Sequence, residues 1–152
     1  MELDFGGLGK EYAVDRCIIL ANEFTDEPVL VNLGGDLAVT CSRKYDEPWK
    51  VAIESPDSDI KKTANADMII SLNSGALATS GDAKKFFIKE GVRYGHVLNP
   101  KTGMPVFDAP RSITVVAPQC IQAGVLSTLA LLQGTQAENF LATQGVKFWA
   151  RR

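Results

Sequence analysis

The chain has 152 residues, with 16 Lys and Arg against 18 Asp and Glu, a formal net charge of -2, and 45% hydrophobic residues. That is the size and makeup of one globular domain and excludes a disordered, collagen-like or coiled-coil chain. The near balance of charge also excludes bulk attraction to nucleic acid or anionic lipid, which needs a basic face.

The opening, Met-Glu-Leu-Asp-Phe-Gly-Gly, has neither the basic nor the apolar segment of an export signal, so the sequence as written reads as cytoplasmic. Tyr12, Ala13, Val14, Cys17, Ile18, Leu20 and Ala21 then recur at three- and four-residue intervals, which predicts an amphipathic helix starting near Gly9. Residues 29–39 are rich in Val and Leu, and residues 49–54 alternate apolar and polar side chains; together they read as a β-hairpin, with Gly34-Gly35 marking a bulge or a close approach inside its first strand. The polar stretch 54–65 reads as a surface loop.

Residues 68–72, 76–79 and 86–89 read as short strands, and residues 94–98 lead into the turn Asn99-Pro100-Lys101-Thr102-Gly103. A β-branched strand follows at 112–117, then a helix over 121–133 stopped by Gly134, a short helix over 137–143 and a last strand at 146–150. No repeat or linker divides the chain, and no apolar stretch approaches the ~20 residues that cross a bilayer. The expectation is one α+β domain over residues 1–152, with helices packed on a mixed or largely antiparallel sheet. Cys17, Cys41 and Cys120 show no CxxC spacing and read as buried free thiols.

Chemistry concentrates in a few places. The segment Asp4-Phe5-Gly6-Gly7-Leu8-Gly9-Lys10 sets glycines, a carboxylate and a lysine at a helix entry, where backbone N–H groups receive a phosphate or simply make a tight turn. It is not a P-loop, because Glu11 stands where that motif has Ser or Thr. His96, the single histidine, is either a general base with a reference pKa near ~6.5 or a hydrogen-bonded structural residue. The run Ala78-Thr79-Ser80-Gly81-Asp82 offers hydroxyls at a turn. Ser127 and Thr128 sit mid-helix, where hydroxyls usually bond back to the preceding turn.

Taken together and in this order, these segments resemble the ApbE family, the FAD:protein FMN transferases. The matching stretches are Asp4-Phe5-Gly6-Gly7-Leu8-Gly9-Lys10-Glu11-Tyr12-Ala13-Val14-Asp15, Leu30-Val31-Asn32-Leu33-Gly34-Gly35-Asp36, Pro48-Trp49-Lys50-Val51-Ala52-Ile53, Ala78-Thr79-Ser80-Gly81-Asp82, Arg93-Tyr94-Gly95-His96-Val97-Leu98-Asn99-Pro100-Lys101-Thr102-Gly103, Ser112-Ile113-Thr114-Val115-Val116-Ala117-Pro118 and Leu126-Ser127-Thr128. The resemblance implies a T-fold-related α+β fold and transfer of FMN from FAD to a Ser or Thr hydroxyl of an acceptor protein with Mg2+. By the same resemblance Asp4, Lys10, Leu98 and Thr79 contact FAD, the carbonyl of Gly7 with Ser127 and Thr128 forms the metal site, and His96 acts in catalysis.

Departures accompany the match. Gly124 stands where the family has an Asp four positions before the metal-site Thr, which removes a carboxylate and is expected to weaken Mg2+ binding. Asn99 replaces the Asp of the family's His-x-x-Asp-Pro motif. The matched segments correspond to the C-terminal half of the family's fold, so a homo-oligomer or an N-terminal half is the expected further partner; with such a half, the family's periplasmic or membrane-associated location would apply. The alternatives are a non-catalytic flavin-binding or interaction module, and a Mg2+-dependent FAD hydrolase giving FMN and AMP.

Overall fold

The computed structural model describes residues 5–54, 66–82 and 86–152. The glycine-rich opening closes a turn, in which Leu8 and Gly9 donate to the Phe5 carbonyl at 2.9 and 2.8 Å, and feeds α1 (Gly9–Phe24). In chain order there follow β1 (Leu30–Leu33), β2 (Asp36–Val39), β3 (Trp49–Glu54), β4 (Ala66–Leu72), β5 (Gly75–Gly81), β6 (Phe86–Lys89), β7 (Val92–Gly95), β8 (Ser112–Ala117), α2 (Cys120–Leu132), α3 (Ala137–Thr143) and β9 (Lys147–Arg151). Five strands form one antiparallel sheet in the order β1-β2-β5-β8-β9, while β3-β4 and β6-β7 are separate two-stranded ribbons.

Period-two alternation along the central strands separates two cores. Ala38, Ala76, Ala78, Ile113, Val115 and Ala117 face the helices and pack with Val14, Cys120, Ala123, Leu131 and Leu141. Their neighbours Leu37, Val39 and Leu77 face the other way, against Ile53, Ile70 and Leu72 of the β3-β4 ribbon. The small side chains of β5 let α2 lie close over the middle of the sheet, which brings the strand's polar end against the middle of that helix. No described helix is long and apolar enough to cross a membrane.

Two expectations are corrected. Residues 29–39 are not one bulged strand paired with residues 49–54. They form the hairpin β1-β2, with Leu33 opposite Asp36, and Gly34 and Gly35 are its two-residue turn at φ 68° and 102°. Both turn positions of this tight hairpin need positive φ, which glycine supplies without steric cost. β3 instead pairs with β4, from Trp49↔Leu72 to Ile53↔Met68; most of the loop expected at 54–65 lies outside the described residues.

The second correction concerns the thiols. Cys120 is fully buried, but Cys17, on the outer side of α1, and Cys41, just past β2, are exposed. Burial pushes the Cys120 thiol up to about 12, helped by the nearby carboxylates Asp36, Asp15 and Glu11. An alkylating reagent at mildly alkaline pH is therefore expected to modify Cys17 and Cys41 in the folded protein and to reach Cys120 only after denaturation, as peptide mapping by mass spectrometry would show.

Asp15 ties α1 to α2. Its carboxylate accepts from the backbone N–H of Cys120 at 2.7 Å and of Ile121 at 2.9 Å, and so caps a helix whose own N-cap residue, Gln119, makes no side-chain cap bond. Substituting Asp15→Ala should lower unfolding free energy by about 1–2 kcal/mol in a denaturant titration. The outer side of α1 is apolar at Tyr12, Ile19, Leu20 and Phe24, all exposed.

Candidate functional site

The site begins at the C-terminal end of β5. Strand parity turns Ser80 toward the helices, where its Oγ lies 2.7 Å from Ser127 Oγ and 2.9 Å from Thr128 Oγ1. Ser127 is fully buried and donates back to the Gly124 carbonyl at 2.9 Å, as its mid-helix position suggested. With that proton committed, Ser80 donating to Ser127 and accepting from Thr128 satisfies all three hydroxyls. The lone pairs left on Thr128 are the open valence of the cluster.

The first turn of α1 meets the same place. Lys10 forms an ion pair with Asp36, the first residue of β2. Asp36 is buried, and its other oxygen lies 3.4 Å from the Thr79 N–H. Burial works against the Lys10 charge, but the hydrogen bond and charge of Asp36 outweigh it and raise the lysine pKa. The ammonium is thus a fixed cation whose side chain stays half exposed.

Glu11, the next residue, points inward and is 6% exposed. Its carboxyl group lies against Gly124: a Cβ built there would stand 2.7 Å from Glu11 Cγ and 2.9 Å from Oε1. Glu11 Oε2 is buried without a hydrogen-bond partner among the described residues. Burial raises the Glu11 pKa first; its own backbone N–H pulls the other way, and the Asp36 charge adds to the rise.

Two residues beyond Ser80, Asp82 anchors the β6-β7 ribbon. Arg93 on β7 donates to the Asp82 carboxylate at 2.7 Å and to its carbonyl at 2.8 Å, and the guanidinium sits 3.3 Å from the centre of the Phe86 ring. Phe87 and Tyr94 stack at 4.8 Å with their planes 7° apart, and Phe107 meets Tyr94 edge-on. Phe87 and Tyr94, with Phe86, His96, Leu98, Met104 and Pro105, line an open pocket of about 720 Å3. Asn99 closes the loop beside it: its side chain accepts from Lys101 N–H at 2.9 Å, while its N–H donates to Met104 and its carbonyl accepts from Gly103, both at 2.8 Å. An amide performs that turn function as well as a carboxylate would.

The structure gathers Ser127 and Thr128 around Ser80, ties Lys10 to Asp36, whose other oxygen reaches the N–H of Thr79 next to Ser80, and sets His96 and Leu98 together in the aromatic pocket. Gly7 lies in the opening turn at the mouth of α1, with no atom within 4 Å of a Cβ built on it. Thr79 reaches the site through its backbone N–H alone; its side chain is on the opposite face of the sheet, with Oγ1 2.8 Å from Thr114 Oγ1. Asp4 lies outside the described residues. The sequence assigns no role to Glu11 or Asp36, and it offers Ser80 only within the hydroxyl run 78–82. Parity from Ala76 and Ala78 assigns Ser80 to the helix face, whereas no local signal reveals the Glu11–Gly124 contact. Among the described residues no group of three or more His, Cys, Asp and Glu side chains converges as a metal centre; the donors here are hydroxyls and single carboxylates.

The chain as a whole resembles proteins of one known family. The model of the ApbE family matches residues 1–149. The chain is 32% identical over 126 residues to the FAD:protein FMN transferase of Haemophilus influenzae, covering 83% of this chain and 36% of that protein, and 30% identical over 145 residues to the one from Salmonella typhimurium, covering 95% and 41%. It thus spans less than half the length of these curated relatives. Among solved structures, the ApbE protein of Thermotoga maritima superimposes with a TM-score of 0.85 at 31% identity, over 98% of this chain and 48% of that one. The apo flavinyl transferase ApbE of Pseudomonas stutzeri gives 0.80 at 28%, over 97% and 44%. Fold and sequence agree, and the chain belongs to the ApbE family.

Proposed function

We propose that the chain serves transfer of FMN from FAD to a Ser or Thr hydroxyl of an acceptor protein, with Mg2+. The observation that carries this reading is that one strand end joins both halves of the site: Ser80 ties to the α2 hydroxyls, and Asp82 holds the ribbon bearing the aromatic cavity. A pyrophosphate linked to a flat ring system is the ligand such a pairing suits.

The residues divide the work. Lys10, held by Asp36, neutralises phosphate charge. The isoalloxazine lies against the Phe87–Tyr94 stack, beside the main chain of Leu98. His96 takes the proton of the acceptor hydroxyl as its oxygen bonds to the FMN phosphorus; the bond to the AMP phosphate breaks, and AMP leaves. Thr128, with Ser127 beside it and the carbonyl of Gly7, would hold Mg2+; hard oxygen donors and a nearby buried carboxylate oxygen lacking a partner fit that ion. When bound, the ion adds charge neutralisation at the pyrophosphate. The exposed apolar side of α1 is the surface on which a second copy or the family's N-terminal half would pack.

Incubating the full chain with FAD, Mg2+ and a threonine-containing acceptor peptide tests the reading. Transfer gives AMP and FMN-modified peptide in equal amounts by chromatography and mass spectrometry. AMP with free FMN alone, or intact FAD, contradicts it.

A further inference from the structure

Gly124 occupies the position at which the family resemblance expects the metal-site carboxylate, one helical turn before Thr128. In an α-helix residues four apart lie on one face, so whatever fills the space over Gly124 lies on the face of α2 that carries Thr128. The filling group is the side chain of Glu11, whose Cγ and Oε1 come within 2.7 and 2.9 Å of the Cβ that glycine lacks. Any side chain at 124 would push Glu11 out.

The state of this carboxyl group is unusual for one that only packs. It is 6% exposed, and Oε2 has no hydrogen-bond partner among the described residues. Burying an ionisable group with an unsatisfied oxygen is unfavourable, and the neighbouring cation, Lys10, is already paired with Asp36. The hydroxyls of Ser80, Ser127 and Thr128 cluster within one helical turn of Gly124, all oxygen donors of the kind that hard divalent cations take.

We propose that the Glu11 carboxylate, lodged in the space Gly124 leaves open, is the anionic ligand of the divalent-cation site at Thr128. α1 then supplies the charge that α2 lacks, and the site is relocated between helices instead of degraded. The inference rests on the reading of the Thr128 face as a cation site given above.

The test uses the full chain freed of metal, with Mn2+ as a paramagnetic probe and free Mn2+ read by electron paramagnetic resonance. Wild type should bind one Mn2+, displaced by Mg2+. Glu11→Gln, which keeps the shape, should weaken binding by about ten-fold or more. The exchange Glu11→Gly with Gly124→Asp should recover it. Melting curves separate ligation from folding: without metal Glu11→Gln should melt no lower than wild type, because the buried charge is gone, and Mg2+ should raise the melting temperature of wild type but not of Glu11→Gln.

Wild-type Mn2+ affinity in Glu11→Gln overturns the proposal and leaves the cation site standing. Binding by the exchanged variant but not by wild type does the same. Absence of binding in every variant, the exchanged one included, removes the cation-site reading and the proposal with it.

Discussion

Gly81→Ala is expected to destabilise the protein by about 3 kcal/mol, at the upper end of the usual overpacking range, and to weaken FAD binding with it. A Cβ at Gly81 would stand 2.3 Å from the Arg111 carbonyl oxygen and 2.8 Å from Ser112 Cα. Both are backbone atoms of the segment leading into β8, so no side chain can rotate away and the β5-β8 pair must spread at its end. Gly81 lies between Ser80 and Asp82, and spreading there moves both the hydroxyl cluster and the anchor of the β6-β7 ribbon. Thermal melts with an FAD titration would read the two effects. Gly9→Ala is the control: nothing among the described residues lies within 4 Å of its Cβ position, and alanine is the better helix former, so its melting temperature should stay unchanged or rise.

The other large effect belongs to Lys10. Lys10→Met leaves the buried Asp36 carboxylate without its ammonium and close to Glu11. Breaking a fully buried pair costs several kcal/mol; because the Lys10 side chain is half exposed and partly screened by water, the expected loss is smaller, about 1–3 kcal/mol. FAD affinity should fall by about ten-fold or more through loss of the phosphate contact. Adding Asp36→Asn separates the two roles. The double variant should regain most of the stability, since no uncompensated charge remains, yet keep the weak FAD affinity. Recovery of both would show that Lys10 acts only through the fold.

The parts of the fold that the sequence revealed are those governed by local periodicity and breakers. Helix α1 begins at Gly9, and β8, α2, α3 and β9 follow the β-branched run at 112–117, the apolar pattern after it and the stops at Gly134 and Gly145. What misled was a choice between two meanings of one signal: paired glycines serve a bulge or a two-residue turn, and only cross-strand pairing distinguishes them. The partner of β3 lies across residues 55–65, beyond the reach of a hairpin pattern. Exposure of Cys17 depends on which side of α1 meets the sheet, and the spread of apolar residues around that helix conceals it.

The candidate site was legible as motifs but not as contacts. Lys10, His96, Ser127 and Thr128 stand out by residue type and spacing. Thr79 and Ser80 are adjacent hydroxyls, and only strand parity tells that Ser80 faces Thr128 while Thr79 faces Thr114. Gly124 looked like a loss when read along α2 alone. That a residue of α1 fills the gap depends on the packing of two helices distant in sequence, which no local pattern encodes.

In the proposed function a single FAD with Mg2+ spans Lys10, Thr128 and the aromatic pocket. Titrating the full chain with FAD and following flavin fluorescence, with and without Mg2+, tests it most directly. Saturable binding at one FAD per chain that tightens when Mg2+ is added is the expected result; no saturation, or an affinity indifferent to Mg2+, would contradict it.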